Sequence, residues 1–116
     1  MIRNFLDAEK KIQTASHGGE GFVELYEIWK KSDFLSGCDF IDRVVVPPAS
    51  TVGFHMHGNN EEIYIVLEGR GTMHLGSQEM VIKKGDMIKN PPYGEHGLIN
   101  DSDENMDLLI IQLSIQ

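Results

Sequence analysis

Turn-forming residues divide this chain into short segments. From residue 47 onward, glycine, proline or asparagine interrupts the apolar stretches, and the resulting lengths are typical of β-strands rather than helices. Segment 22–31 also fits an amphipathic helix, but its aromatic and branched residues favour a strand. The predicted strands are 22–31, 40–46, 51–57, 61–68, 71–75, 79–82, 87–90, 97–100 and 106–113. The sequence therefore predicts an all-β fold, either a closed barrel or two antiparallel sheets.

The composition limits both the size of the fold and its partners. The 116 residues suit a single domain. Eighteen acidic and ten basic residues leave a net charge of −8, which argues against nucleic acid and anionic membranes as partners. No apolar run approaches the roughly eighteen residues of a membrane span, so the predicted compartment is the cytoplasm. The lone Cys38 cannot form an internal disulfide.

Two histidines separated by one residue carry the main chemical signal. His55 and His57 lie on the predicted strand 51–57, where residues two apart point to the same side of the sheet. The stretch Gly58-Asn59-Asn60 predicts a chain reversal. Glu62 would then open the next strand beside the two imidazoles.

A third histidine completes the candidate group. His96 follows a predicted turn at 91–94. Three neutral imidazoles and one carboxylate are suitable ligands for a divalent transition metal ion. An octahedral ion held in this way would keep two positions for water or substrate.

The spacing of these residues resembles the two motifs of the cupin superfamily. The stretch His55-x-His57-x4-Glu62-x6-Gly69 matches the first motif, and Gly85-x5-Pro91-x4-His96-x3-Asn100 matches the second. The resemblance implies a single-domain jelly-roll barrel, the double-stranded β-helix of cupins. It also implies that the metal ligands are His55, His57, Glu62 and His96. One divalent ion per chain is expected, and the donor set leaves iron, manganese, nickel, copper, cobalt and zinc open.

Two positions depart from the cupin pattern. The glycine that usually precedes the first histidine by six positions is Ala49, and a glycine appears instead at Gly53. The glycine expected two residues after Pro91 is Tyr93. Neither departure removes a ligand, but Tyr93 is expected to alter the turn that carries His96 and to bring a phenol to the pocket rim.

The segment before the first motif has little pattern. We expect residues 1–39 to form an N-terminal arm with edge strands and residues 40–116 to form the barrel core. The glycine-rich stretch 16–21 predicts a flexible loop. By analogy with other cupins we expect a homodimer, in which the arm either covers a sheet edge or supplies the contact.

Two tyrosines are the candidate catalytic residues. Tyr64 shares strand parity with Glu62 and should point into the barrel, either as a substrate contact or as core packing. Tyr93 is the second candidate, at the pocket rim. His17 and His74 match no motif position and are not expected to be ligands.

Two functions remain open at this point. The first is a metal-dependent enzyme acting on a small carboxylate, carbonyl or sugar-acid substrate, of the dioxygenase, isomerase or decarboxylase type. The alternative is a non-catalytic module that binds a sugar or a small acid in the same pocket. A titratable pocket residue that is not a metal ligand would favour the enzyme, and Tyr64, Tyr93 and His17 are the candidates for it.

Overall fold

The computed structural model describes residues 1–115, most of which lie in strands. The strands are β1 (Lys11–Thr14), β2 (Phe22–Lys30), β3 (Cys38–Val46), β4 (Thr51–Met56), β5 (Asn60–Glu68), β6 (Arg70–Leu75), β7 (Gln78–Lys83), β8 (Met87–Asn90), β9 (Glu95–Ile99) and β10 (Met106–Ser114). Two short 3₁₀ turns cover Ser16–Gly18 and Lys31–Asp33. Within residues 1–115 no helix is long and apolar enough to cross a membrane. Every predicted strand is present, and β1 is an additional one.

The strands form two antiparallel sheets. One sheet has six strands in the order β1-β2-β3-β10-β5-β8, and the other has four in the order β4-β9-β6-β7. Chain neighbours such as β4 and β5 lie in different sheets, as the crossing connections of a jelly roll require. The predicted all-β jelly-roll fold is confirmed.

One apolar core joins the two sheets. Its buried members are Val23, Val44, Val46, Val52, Tyr64, Val66, Met73, Ile82, Ile88, Leu98, Met106, Leu108 and Ile110. Both sheets contribute to this cluster, so their inner faces pack against each other. Val23 comes from β2, so the first 39 residues also supply core packing. The division at residue 40 stays a prediction.

The burial of strand β10 differs from what its sequence predicts. Its nearly continuous apolar run predicts burial on both faces. Instead, Met106, Leu108 and Ile110 are buried, whereas Leu109 and Ile111 on the opposite face are only half-buried. The outer face of the six-stranded sheet is covered only in part, so the run of apolar residues overstates the burial.

The residues at the two positions that depart from the cupin pattern have a backbone conformation typical of glycine. Ala49 has φ 61° and Tyr93 has φ 59°, both in the left-handed region that favours glycine. Hydrogen bonds hold both places: the Ala49 N–H donates to Asn100 O at 3.0 Å, and the Tyr93 N–H donates to Gly58 O at 3.0 Å. Left-handed non-glycine residues cost about 1–3 kcal/mol each. The turn that carries His96 therefore keeps its backbone conformation at the expense of some strain.

The glycine-rich segment does not form the predicted flexible loop. Ser16 is buried, and the Ser16–Gly18 turn lies directly on β4. A side chain at Gly53 would overlap the carbonyl oxygen of His17, and its Cβ would lie 2.8 Å from the Gly19 N. The absence of a side chain at Gly53 thus allows the turn to contact the strand.

This contact predicts a stability effect. Gly53→Ala should lower the free energy of unfolding by about 1–3 kcal/mol, because the new methyl group meets backbone atoms that cannot move independently. Urea unfolding measures the change. Gly58→Ala is the matched control: no atom lies within 4 Å of its new Cβ, so the change should stay within about 0.5 kcal/mol. Equal unfolding midpoints for the two variants would contradict the packing described.

Candidate metal centre

Four side chains from neighbouring strands meet inside the barrel. His55 lies on β4, His57 follows the end of β4, Glu62 lies on β5 and His96 lies on β9. His55 and His96 are direct partners across the β4–β9 pair. One potential ligand atom from each of the four residues lies within 4.8 Å of all the others. The structure thus brings together the four residues that the sequence predicts as ligands.

The distances among His57, Glu62 and His96 suit one shared ion. The Glu62 Oε1 atom lies 2.9 Å from His57 Nε2 and 3.4 Å from His96 Nε2, and the two Nε2 atoms are 3.2 Å apart. Ligand atoms at about 2.1 Å from a common ion lie about 3.0 Å apart at a right angle and about 3.4 Å apart at the tetrahedral angle. The three separations fall in or beside this range.

Hydrogen bonds at the far ring nitrogens orient two of the imidazoles. The His55 Nδ1–H donates to the Gly53 carbonyl oxygen at 2.7 Å. The His57 Nδ1–H donates to Asn60 Oδ1 at 2.6 Å. Each bond leaves Nε2 with its lone pair free, which is the arrangement that metal-binding histidines use.

Burial around Glu62 supports the same interpretation. Glu62 is 6% exposed, and its ion-pair partners among the described residues are His57 and His96 alone. A buried carboxylate without a full positive partner costs several kcal/mol. Asn90 lies opposite Glu62 in the β5–β8 pair and is 1% exposed, and neither of its side-chain amide atoms has a partner in residues 1–115. The buried carboxylate between two imidazoles fits a divalent transition metal ion.

Tyr64 lies against one member of the group. Its hydroxyl oxygen is 3.3 Å from His96 Nε2, and the residue is 2% exposed. Burial raises the pKa of the Tyr64 phenol far above its usual value, and the charge of Glu62 adds to the effect. The phenol therefore stays protonated. Its inward orientation agrees with strand parity, and its catalytic role stays a prediction.

A cavity of about 490 Å³ opens beside the group. Besides the candidate ligands His55, His57 and Glu62, its polar lining residues are Gln13, Ser16, His17, Asp42, Asn60, Tyr64 and Gln112. No lysine or arginine belongs to the lining formed by the described residues. A ligand in this cavity therefore contacts hydrogen-bonding groups and carboxyls, but no lysine or arginine side chain of the described residues.

His17, one of the candidate titratable pocket residues, lines the cavity through a contact that the sequence did not predict. Its ring stacks on His55 with ring centres 3.7 Å apart and planes 8° from parallel. Burial lowers the pKa of His17, although the charge of Glu62 opposes this. His17 is not one of the four grouped residues. The combination of Gly53 with a glycine-rich segment was the available signal for this contact.

Asp42 is a cavity residue that was not predicted from the sequence. It lies on β3 and lines the cavity together with Glu62. Burial raises the pKa of Asp42 to about 7, and the charges of Glu27 and Glu62 add to the effect. The sequence does contain an indication of this position. Asp42 lies two residues before the apolar Val44 on the same strand, so both side chains point to the same, inward face.

The remaining candidates do not line the cavity. Tyr93 is 65% exposed, does not line the cavity, and its hydroxyl lies 3.4 Å from Asn59 Oδ1. His74 is half-buried with its ring edge near Phe54. Cys38 is buried, and burial raises the pKa of its thiol. The structure does not bring these residues to the metal group.

Metal binding predicts a measurable change in thermal stability. An ion that binds only the folded state adds about 2.7 kcal/mol at a concentration of 100 times Kd, so a chelator should lower the Tm by about 10 °C. His57→Ala should lower the Tm strongly in metal and little further in chelator, because the metal bond is already absent there. Differential scanning calorimetry measures both.

His74→Ala is the matched control for that experiment. It removes an imidazole outside the group, so its Tm should respond to chelator as the wild type does. An unchanged wild-type Tm after elemental analysis has shown the metal to be removed would contradict a metal that stabilises the fold.

Comparison with known proteins agrees with this geometry. Residues 42–112 match the cupin-domain family model, a range that contains all four candidate ligands. The oxalate-binding protein of Thermotoga maritima is 30% identical over 94 residues, which cover 81% of this chain and 78% of that protein. An uncharacterized protein of Methanocaldococcus jannaschii is 43% identical over 58 residues, 50% of this chain and 46% of that protein.

Solved structures give the same result. The crystal structure of a predicted oxalate decarboxylase from Thermotoga maritima superposes with a TM-score of 0.96 at 25% identity, covering 99% of this chain and 100% of that one. The cupin domain of Schizosaccharomyces pombe Cnp3 shares the fold with a TM-score of 0.74 at 12% identity, covering 90% of this chain and 69% of that one. From the family match, the relatives and the fold together, this chain belongs to the cupin family.

Proposed function

We propose that this protein holds one divalent transition metal ion through His55, His57, Glu62 and His96 and thereby binds a small carboxylate such as oxalate. The observation that carries the proposal is the buried group of three imidazoles and one carboxylate beside a cavity of about 490 Å³. Iron, manganese, nickel, copper, cobalt and zinc all suit these donors. When bound, such an ion supplies a Lewis acid with open positions for ligand oxygens.

The charges in the cavity favour an anion only when the ion is present. At the metal group, three neutral imidazoles, one carboxylate and a divalent ion sum to 2 − 1 = +1. Asp42 in the cavity wall adds a negative charge only when it ionises. The lining formed by the described residues adds no lysine or arginine. Surface carboxylates beyond about 8–10 Å are screened by salt, so the net charge of −8 slows the arrival of anions without preventing binding.

A relative supports the choice of oxalate as the test ligand. The Thermotoga maritima protein that this chain matches over 78% of its length is named an oxalate-binding protein. A small dicarboxylate of this kind carries two oxygens that can bind one ion together. It is also small enough for a cavity of this volume.

Turnover of the bound carboxylate is a second candidate function. The observation that favours it is the presence of titratable cavity residues outside the four candidate ligands, namely His17, Asp42 and Tyr64. Decarboxylation of oxalate breaks the carbon–carbon bond, releases carbon dioxide and takes up one proton to give formate. Carbon-13 NMR of labelled oxalate incubated with metal-loaded protein would detect formate. Unchanged oxalate would leave binding as the function.

The homodimer expected from the cupin resemblance is also kept as a proposal. Strand β1 pairs with β2 on one side only within residues 1–115, and all four of its residues are exposed. An edge of this kind can pair with a second copy of the chain.

Calorimetry tests the proposed binding. Oxalate should bind the Mn²⁺-loaded protein with one ligand per chain, and removing the metal should weaken binding by at least about tenfold, or 1.4 kcal/mol. Glu62→Gln should weaken oxalate binding to the extent that it loses the metal. Glu61→Gln removes the neighbouring carboxylate, which is not one of the grouped residues, and should bind like the wild type.

Two outcomes would contradict the proposal. Equal oxalate affinity with and without metal would place the anion elsewhere on the protein. Binding of a neutral sugar such as glucose by a metal-loaded protein that does not bind oxalate would favour the sugar-binding alternative.

A further inference from the structure

Asp42 is a carboxyl in the cavity wall whose role is not explained by metal binding. It lines the same cavity as Glu62 but is not one of the four grouped residues. Within residues 1–115 its carboxyl forms no hydrogen bond and no ion pair with any other residue. Asp42 is half-buried and lines the cavity, so a ligand held there can reach its carboxyl.

The sheet places Asp42 at a ligand's distance from the metal group. Asp42 pairs with Ile110, and Ile110 pairs with Tyr64 on the other side. Two strand spacings of about 4.8 Å separate Asp42 from Tyr64, or roughly 10 Å between their backbones. Side chains extend inward from both positions into one cavity. The Ile110 side chain points inward between them and also lines the cavity, so a small molecule that reaches both the metal group and Asp42 lies over Ile110.

We propose that Asp42, in its protonated form, donates a hydrogen bond to the carboxylate of a ligand bound at the metal group. The proposal rests on the proposed function and specifies how the far side of that ligand is recognised. The ligand class is a small dicarboxylate or its monoanion: one end binds the ion and an oxygen of the other end accepts the Asp42 proton. A carboxylic acid paired with a carboxylate forms a strong charge-assisted hydrogen bond.

The charged groups around Asp42 favour its protonated form. Burial raises the pKa of Asp42 to about 7, with Glu27 on β2 and Glu62 on β5 adding to the effect and Lys11 on β1 opposing it. The Lys11 Nζ atom lies 2.8 Å from Glu27 Oε1, so the charge of Glu27 partly cancels the effect of Lys11 on Asp42.

Two further polar residues line the cavity with Asp42, from β10 and from the turn Ser16–Gly18. Gln112, on the neighbouring strand β10, is uncharged, and the nearby His17 has a pKa lowered by burial and is neutral at pH 7. A bound dication lowers the pKa of Asp42, whereas a bound carboxylate raises it. The pKa of Asp42 in the complex depends on both bound charges, so binding is measured with metal and ligand present.

The sign of the pH effect follows from which form donates. While Asp42 keeps its proton, it donates to the ligand carboxylate. Once Asp42 ionises, two carboxylates repel each other in a cavity without a cationic side chain among the described residues. Oxalate affinity should therefore fall as the pH rises and Asp42 loses its proton.

Calorimetry of oxalate binding to the Mn²⁺-loaded protein at pH 5.5, 6.5, 7.5 and 8.5 tests the proposal. Between pH 6.5 and 8.5 the wild-type affinity should fall at least about tenfold further than that of Asp42→Asn. The asparagine amide still donates a hydrogen bond but does not titrate, so this variant should bind within about threefold of the wild type at pH 6.5. Asp42→Ala should bind about tenfold more weakly at that pH.

Asp103→Asn is the matched control for charge. It removes a carboxylate from the exposed loop between β9 and β10 and should reproduce the wild-type pH profile. Comparing each variant with the wild type at every pH cancels the effect of pH on the metal ion itself. Melting curves of the variants confirm that they fold.

An independent measurement uses the wild-type chain. Carbon-13 NMR of labelled aspartate in the metal-free protein should show one carboxyl that titrates near pH 7 and is missing in Asp42→Asn. Binding that depends on metal but is identical in affinity and pH profile for the wild type, Asp42→Asn and Asp42→Ala would overturn this inference alone. Failure of the metal-loaded wild type to bind oxalate at any of the four pH values would overturn both the inference and the proposed function.

Discussion

The buried carboxylate of Glu62 is the constraint on which the interior of this barrel depends. The residue is 6% exposed, and its charge lies against the Nε2 atoms of two histidines at 2.9 and 3.4 Å. Neutral imidazoles cannot balance a full negative charge in a medium of low polarity. A divalent ion can balance this charge, and the third imidazole, that of His55, supplies a further candidate ligand atom. The hydrogen bonds that fix the far ring nitrogens of His55 and His57 are consistent with that use.

The cavity beside this group has an unusual balance of charge for a site proposed to take an anion. Its described lining includes two carboxyls, Asp42 and Glu62, but neither lysine nor arginine. Attraction for an anion must then come from the ion, and specificity must come from neutral donors around it. The N-terminal segment takes part directly, because His17 stacks on His55 and Gln13 joins the cavity wall. The arm is therefore part of the site as well as an edge of the sheet.

Local patterns explain why most of the fold and the four candidate ligands could be predicted from the sequence. Residues such as Pro47, Gly69 and Pro91 directly follow the ends of strands. Strand parity alone places His55 and His57 on one side. The features that were missed depend on contacts between distant segments. Strand β1 is exposed at all four residues, so it has no amphipathic pattern and is defined by its pairing with β2. His17 reaches the cavity through a backbone contact at Gly53, and Asp42 looks like a surface residue until its strand neighbours are known to point inward.

Anomalous X-ray diffraction from crystals of the protein loaded with a divalent transition metal tests the central claim most directly. The account predicts one anomalous peak per chain, at about 2.0–2.3 Å from the Nε2 atoms of His55, His57 and His96 and from one carboxylate oxygen of Glu62. Loss of that peak in crystals of Glu62→Gln would tie the ion to the buried carboxylate. A loaded crystal with no peak among these residues, or with its peak held by other side chains, would contradict the account.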